Sequence, residues 1–306
     1  MQQNSVEINN HLWDNNLEVN FMTIVYIIIG ITIFCTIFYL LNYKLITISK
    51  YKIEDKKIPK SFDGYKVLHL SDWHCTNYGK NNSRLINLIK KQDYDVIFVS
   101  GDFAVRQTHE YLPAISFLKE LTNKPIYFIW GNHELALTKE EYLDFWDRLD
   151  KIGVRVVENE HIALTKNNES IMLYGLRYNS QDHDTKNIKK PEIENKYLKS
   201  YIAALGELDK TKYNILLTHD PMYFNVYVKE GFDLVYAGHL HGGAIRILGF
   251  CLSKLKSGLV ITRLGAGIKK KENTKMIVSR GIGNSTIPIR VFNSPEISIT
   301  TFYHKD

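Results

Sequence analysis

Residues 66–72 read KVLHLSD, residues 95–102 read DVIFVSGD, and residues 126–134 read IYFIWGNHE. Each is a short apolar run that ends in Asp72, Gly101-Asp102 or Gly131-Asn132-His133. Between them, Asn82–Lys91 carries Leu85, Ile86, Leu88 and Ile89 at helical spacing, and residues 109–122 carry Leu112, Ile115, Phe117 and Leu118. A charged amphipathic helix over 139–151 follows the third run. Strand, helix, strand, helix at this spacing predicts βαβ units and a parallel sheet, an α/β fold.

The second half is richer in strands. His161–Thr165, Ile171–Tyr174, Tyr213–Thr218, Asp233–Ala237, Leu259–Leu264, Lys275–Ser279 and Glu296–Phe302 read as strands, with one helix near 194–209. Residues 177–192 are polar and read as a long surface loop, and the basic run Lys269–Lys271 as a solvated turn.

Residues 22–41, MTIVYIIIGITIFCTIFYLL, contain no charge. As a helix, 20 residues span about 30 Å, the hydrocarbon thickness of a bilayer. No basic region precedes the run and no small-residue cleavage site follows it, so it reads as a retained single-pass anchor in the cell membrane rather than a cleaved signal. Residues 1–21 are polar, and Met22 is an alternative start. Residues 42–63 read as a lysine-rich linker and 64–306 as the catalytic domain. Lys44, Lys50, Lys52, Lys56, Lys57 and Lys60 follow the span while no Lys or Arg precedes it. That asymmetry favours a cytoplasmic domain.

Composition bounds the function classes. In 306 residues, 44% hydrophobic and 24% charged describe a globular chain rather than a disordered one. Cys35, Cys75 and Cys251 are too few and too dispersed for a disulfide scaffold or a cysteine-based zinc module. A net charge of +6 suits an anionic substrate. It is not a nucleic-acid signature, because the charges alternate rather than cluster, and no nucleic-acid partner is expected.

Ligands in open α/β sheets bind beyond the carboxyl ends of the strands. Asp72, Asp102 and Asn132 each follow an apolar strand directly, and parallel neighbours bring all three to one edge. His74 lies two residues beyond Asp72, His219 ends the strand 213–218, and His239 and His241 follow the strand 233–237 in Gly238-His239-Leu240-His241. Carboxylates, an amide and imidazoles at one edge suit a metal ion of borderline softness. His133-Glu134 does not open a His-Glu-x-x-His motif, since position 137 is Leu, which argues against a zinc peptidase.

Taken together, Asp72-x-His74, Gly101-Asp102, Gly131-Asn132-His133-Glu134, His219 and Gly238-His239-x-His241 resemble the calcineurin-like metallophosphoesterases, in order, over about residues 64–302. The anchor followed by Pro59-Lys60-Ser61-Phe62-Asp63-Gly64 resembles the bacterial membrane-associated branch similar to YkuE and YaeI. The resemblance implies a four-layer αββα sandwich of two mixed sheets. It implies two divalent ions (Mn, Fe or Zn), with Asp72, His74 and His241 on the first, Asn132, His219 and His239 on the second, and Asp102 bridging them. His133 is then a neighbour of the ions and not a ligand. Trp73 and Gly242-Gly243-Ala244 depart from the branch's usual residues, and the first could alter the packing under a metal or the pocket wall.

Two divalent ions against Asp72, Asp102 and a hydroxide leave about one positive charge, which attracts a phosphate anion; a neutral Asn132 preserves that excess. His133 is the expected general acid toward the leaving group. Glu134 is expected to cap the following turn or hold an imidazole, His69 to be packed within its strand or pointed at a neighbour, and Arg177 and Tyr178 to open the polar loop, either touching the substrate phosphate or solvated. The expected reaction is hydrolysis of a phosphodiester, a phosphomonoester or a lipid-linked pyrophosphate, the anchor favouring a substrate at the bilayer, including a membrane lipid. The alternatives are a nuclease-type phosphodiesterase, against which stand the anchor and the lack of a basic aromatic stripe, and a non-catalytic metal-binding module. Against the module stands completeness, because all eight site positions are present.

Overall fold

A computed structural model describes residues 3–40, 42, 45–177, 202–255, 258–284 and 290–306. The chain divides into two units, residues 1–45 and 46–306. The first is a helix, α1 (Gln3–Tyr39), in which the polar segment and the apolar run are continuous. Its stretch Phe21–Tyr39 has a mean hydropathy of 2.5 and no burial within the protein. By length and composition it is able to cross a membrane, and it is alone in this among the described residues.

The second unit is an α/β fold with two six-stranded mixed sheets. In the first, β1 (Thr47–Asp55), β2 (Lys66–Leu70), β3 (Val96–Val99), β4 (Ile126–Phe128), β5 (Val154–Val156) and β15 (Glu296–His304) lie in the order β1-β15-β2-β3-β4-β5. Strands β2 to β5 are parallel, and β15 runs antiparallel to β2. The second sheet is built from β6 (Glu160–Lys166), β7 (Glu169–Leu176), β8 (Asn214–Thr218), β9 (Leu234–Ala237), β13 (Gly267–Lys271) and β14 (Thr274–Val278), in the order β13-β14-β9-β8-β7-β6. Its four central strands are parallel and its two edges antiparallel.

The apolar runs are unbroken because both faces of each central strand are covered. On β2 and β3, Val67, Val96 and Phe98 meet Leu217, Leu234 and Tyr236 of the other sheet, while Leu68, Leu70, Ile97 and Val99 face outward. The outward residues pack against α2 (Ser83–Lys90), α3 (Leu112–Lys119) and α4 (Lys139–Lys151). α5 (Phe224–Glu230) covers the outer face of the second sheet through Phe224, Tyr227 and Val228. Helix, sheet, sheet, helix is the expected four-layer order. α4 begins at a capping box in which Thr138 and Glu141 satisfy each other's backbone N–H groups.

Two expectations need correction. Residues 47–55 are not linker but β1, paired in register with β15, and Ile53, Ile58 and Phe62 are fully buried. The lysines of this edge strand resemble a tether in sequence, yet charged side chains on an edge are what discourages further pairing. The same reason explains Lys269–Lys271, which form the edge strand β13 instead of a turn. Of the helix expected near 194–209, residues 202–209 are described: 202–204 are helical, 205 is a turn, and 206–209 lie beyond the helix end, five residues short of the expected extent. The loop expected over 177–192 lies outside the described residues from 178 onward.

A third, smaller sheet follows the Gly238–Ala244 loop. Its strands β10 (Ile245–Ile247), β11 (Phe250–Leu255) and β12 (Gly258–Thr262) are antiparallel.

Candidate metal centre

The loops after β2, β3, β4, β8 and β9 meet in one cleft and bring all eight expected residues together. Ligand atoms of Asp72, His74 and His241 lie within 4.8 Å of one another, as do those of Asp102, His219 and His239, and those of His74, Asp102 and His133. Asp102 belongs to the second and third of these groups and His74 to the first and third, so the three are contiguous. Asp72 Oδ1 is 3.4 Å from His241 Nε2, and Asp102 Oδ2 is 3.3 Å from His219 Nε2.

The backbone reaches these positions at a cost. Asp72, His74, Asp102, His239 and His241 all have positive φ, between 47° and 70°. Non-glycine residues avoid that region, and each such position costs on the order of 1–3 kcal/mol unless its surroundings enforce it. Close approach enforces it here. A Cβ on Gly238 would lie 1.9 Å from Ser71 Oγ and 2.3 Å from Asp72 Oδ2, so only glycine lets β9 pass against the Asp72 loop. The backbone N–H of His239 then donates to both oxygens of Asp72.

The donor set fits a cation. His219 Nδ1 donates to the Ser100 carbonyl at 2.6 Å, and His241 Nδ1 to the Gly283 carbonyl at 3.3 Å. That fixes the tautomer of His241 with a bare Nε2, and turns His219 Nε2 toward Asp102. His241 Nε2 lies 3.0 Å from His74 Nε2, and His219 Nε2 lies 3.1 Å from His239 Nδ1. Nitrogen lone pairs at such distances repel unless a proton or a cation lies between them. Burial takes His74 down to about 3 and His241 well below its ordinary value, so both are neutral, as ligation requires. Burial also opposes a proton on His219, but Asp102 and Asp72 outweigh it and raise His219 to about 10. An imidazole that holds a proton between two carboxylates marks a place that needs positive charge.

Asn132 and Asp102 share that place. The orientation that satisfies Asn132 turns its amide nitrogen to Asp102, His219 and His239 and its oxygen to the Arg106 guanidinium. A cation among those groups requires the carbonyl oxygen there instead. Burial works against the charge of Asp102, yet His219 and His133 beside it hold its carboxyl well below the ordinary carboxylate value.

His133 differs from the other imidazoles. Its Nδ1 accepts the backbone N–H of Arg106 at 3.2 Å, which places the proton on Nε2, and Nε2 is 3.9 Å from Asp102 Oδ2.

Two residues, Glu134 and Arg106, carry roles that sequence reasoning missed. Glu134, fully buried, neither caps a turn nor holds an imidazole. Its carboxylate accepts the backbone N–H groups of Gly131, Asp102, Phe103 and Ala104 at 2.6–2.8 Å. It thereby ties the Asp102 loop to the Asn132 loop. Arg106 has a buried Nε without a hydrogen-bond partner among the described residues. The available signal was a guanidinium four residues past Asp102. His69 is buried and points at a neighbour, as expected: its Nε2 lies 2.8 Å from Ser100 Oγ, which donates to Ser71 Oγ, which donates to Asp72.

Other expectations fare differently. Trp73 does not line the cleft. It is fully buried, stacks on Phe117 and donates to the Thr76 carbonyl. Arg177 is paired with Glu158 at 2.5 Å, and Glu158 also accepts from Trp130 and Tyr142. Tyr178 lies outside the described residues. Burial pushes the Cys75 thiol up to about 12, so it is no thiolate nucleophile.

Comparison with known proteins agrees with this geometry. Residues 65–243 match the pattern that defines the calcineurin-like phosphoesterases. The chain is 26% identical over 263 residues to the metallophosphoesterase YkoQ of Bacillus subtilis, covering 84% of this chain and 90% of that one. It is 25% identical over 268 residues to YkuE of the same organism, covering 84% and 85%. It is 24% identical over 241 residues to the phosphodiesterase YaeI of Escherichia coli, covering 77% and 81%.

Proposed function

We propose, because the chain belongs to the calcineurin-like phosphoesterase family and is a metal-dependent phosphoester hydrolase, that it is anchored in the cell membrane and cleaves phosphoesters there with two divalent ions. The observation that carries the reading is the pair of ligand groups, Asp72 with His74 and His241 and Asp102 with His219 and His239, joined by a third in which His74, Asp102 and His133 meet. Asp72, His74 and His241 would hold one ion, Asn132, His219 and His239 the other, and Asp102 would join both. Ions bound there would supply Lewis acidity toward the phosphoryl oxygens and a hydroxide nucleophile near neutral pH.

The chain's own residues do the rest. Arg106, with its buried Nε, binds a phosphate oxygen by a charge-assisted hydrogen bond. His133 presents its Nε2–H to the leaving oxygen and gives up that proton as the ester bond breaks. The Arg106 backbone N–H keeps that tautomer in place. Glu134 holds the Asp102 and Asn132 loops against each other, so the ligands meet the ions preorganised. The bond broken belongs to a phosphodiester, phosphomonoester or lipid-linked pyrophosphate at the bilayer. Residues 22–41 are the uncleaved anchor, with residues 1–21 before it, and the lysines beyond it favour a cytoplasmic catalytic unit.

The test is to purify the full chain in detergent, reconstitute it with Mn, Fe or Zn, and measure metal content with hydrolysis of bis-p-nitrophenyl phosphate and p-nitrophenyl phosphate. Two bound ions per chain with metal-dependent turnover are expected. One ion, or turnover unaffected by chelation, overturns the dinuclear reading. Recovery of the chain in the soluble fraction with a new N-terminus after residue 41 overturns the anchor.

A further inference from the structure

The small sheet β10–β12 is apolar on the wrong side for a water-exposed structure. In an antiparallel sheet with one covered face, the solvent face is normally polar. Here the covered face carries Cys251 and Ser253, which are 1% and 4% exposed. The opposite face has Leu252 paired with Ile261 and Ile247 paired with Phe250. Ile247, Leu259 and Ile261 are 54%, 70% and 72% exposed, and Leu248 at the β10–β11 turn is 91% exposed. Scattered apolar residues on a surface mean little, but a contiguous apolar face marks an interaction site.

The charge around this face says what it meets. From Leu234 to Lys271 the chain contains no Asp or Glu, although the whole chain has 33 of them. Across the sheet itself, from Ile245 to Arg263, the basic residues are Arg246, which shares the covered face with Cys251, and Lys254, Lys256 and Arg263. The Arg263 guanidinium lies 4.3 Å from the centre of the Phe250 ring, so apolar and basic surface are interleaved and not segregated. Apolar side chains among lysines and arginines, with no acid, match the boundary of an anionic bilayer, where rings and aliphatic chains enter the acyl region and cations meet headgroup phosphates. A second copy of this chain would set the same acid-free, basic segment against itself, and like charges repel.

The covered face rests on the ligand loop. Ala244 N–H donates to the Leu252 carbonyl at 2.7 Å, Ser253 Oγ donates to the Leu240 carbonyl, and a Cβ on Gly243 would meet Cys251 Cβ at 3.0 Å. The sheet thus joins His239 and His241 to whatever its other face touches.

We propose that the outer face of β10–β12 is a docking surface for an anionic lipid bilayer, and that it sets the metal centre over phosphate groups carried by membrane lipids. The lipid substrate rests on the phosphoesterase reading; the docking does not. Docking is tested on the full chain in vesicles of phosphatidylcholine alone and in vesicles with about one-third phosphatidylglycerol, by hydrogen exchange of peptides covering 245–262. Exchange about tenfold slower with phosphatidylglycerol is expected, and the double variant Leu248→Ser, Ile261→Thr should remove that difference. The variant should keep its hydrolysis of soluble bis-p-nitrophenyl phosphate, which shows that it is folded. Exchange that is equal in both vesicles overturns the proposal. So does protection that needs no lipid and grows with protein concentration, because it identifies a second copy. Co-flotation with phosphatidylcholine vesicles reports the anchor separately, so failure of the anchor and failure of the docking face are distinguishable. The lipid-substrate part is tested by hydrolysis of a phosphoester lipid in the same vesicles. A variant equal to the parent on that lipid overturns it.

Discussion

The two sheets contribute unequal halves to one site. The first supplies Asp72, His74, Asp102, Asn132 and His133, most of them beside strand ends that share a parallel register. Its Asp102 and Asn132 loops are fastened by Glu134 through four backbone N–H groups, and by Asp102 Oδ1, which accepts the His133 N–H. The second supplies only imidazoles, His219, His239 and His241, and its loop is fastened by close packing of glycines and by Asn293, which donates to the His241 and Gly243 carbonyls. The carboxylates and the proton donor toward the leaving group thus belong to one half, imidazoles alone to the other. The same division places consequences: damage to the first half should spread to both ions, and damage to the second should stay with one.

The strongest way to break this contrast is at Asp102. Asp102→Ala should lose both ions and all metal-dependent turnover, whereas His219→Ala should lose one ion. Elemental analysis of the two variants decides it, and equal loss erases the asymmetry. His133 comes next. His133→Ala should retain both ions and lower turnover by about 10²–10⁴-fold on esters with poor leaving groups. The loss should shrink for p-nitrophenolate, which needs little protonation. His239→Ala, from the other half, should lose metal and affect good and poor leaving groups alike. Matching profiles across leaving groups of graded pKa would show that His133 ligates.

Glu134 sharpens the contrast further. Glu134→Gln keeps the volume but turns an amide N–H₂ toward backbone donors. It should weaken metal affinity by about 10–100-fold, as loss of an outer support does. Binding isotherms for both sites would show the loss at each, because the support acts on the Asp102 loop. Loss at one site alone would make Glu134 a local prop. The smallest effect is expected at Arg177. Its pairing with Glu158 makes it part of the wall behind the Gly131-Asn132-His133 turn. Arg177→Ala should change KM for bis-p-nitrophenyl phosphate by less than about threefold, within what a partly exposed ion pair contributes. A larger rise in KM would restore it as a phosphate contact.

Much of this was legible in the sequence, for a specific reason. Strand identity and order follow from period and spacing, and a parallel register then puts Asp72, Asp102 and Asn132 at one edge without further information. The edge strands β1 and β13 were not legible, because lysine alternation on an edge resembles a solvated segment. Glu134 and Arg177 were misread for a related reason: both charged side chains found partners that no local spacing indicates.

By itself the sequence determined the α/β class, the helix able to cross a membrane, and the kinds of donor gathered at the strand ends, because these depend on neighbours within a few residues. Tertiary structure alone decided which groups hold those donors in place. Four N–H groups converge on Glu134, Arg106 turns to Asn132, and an apolar sheet face is left outward over a ligand loop. Each depends on segments tens of residues apart being brought together, and on which face of a strand the packing covers.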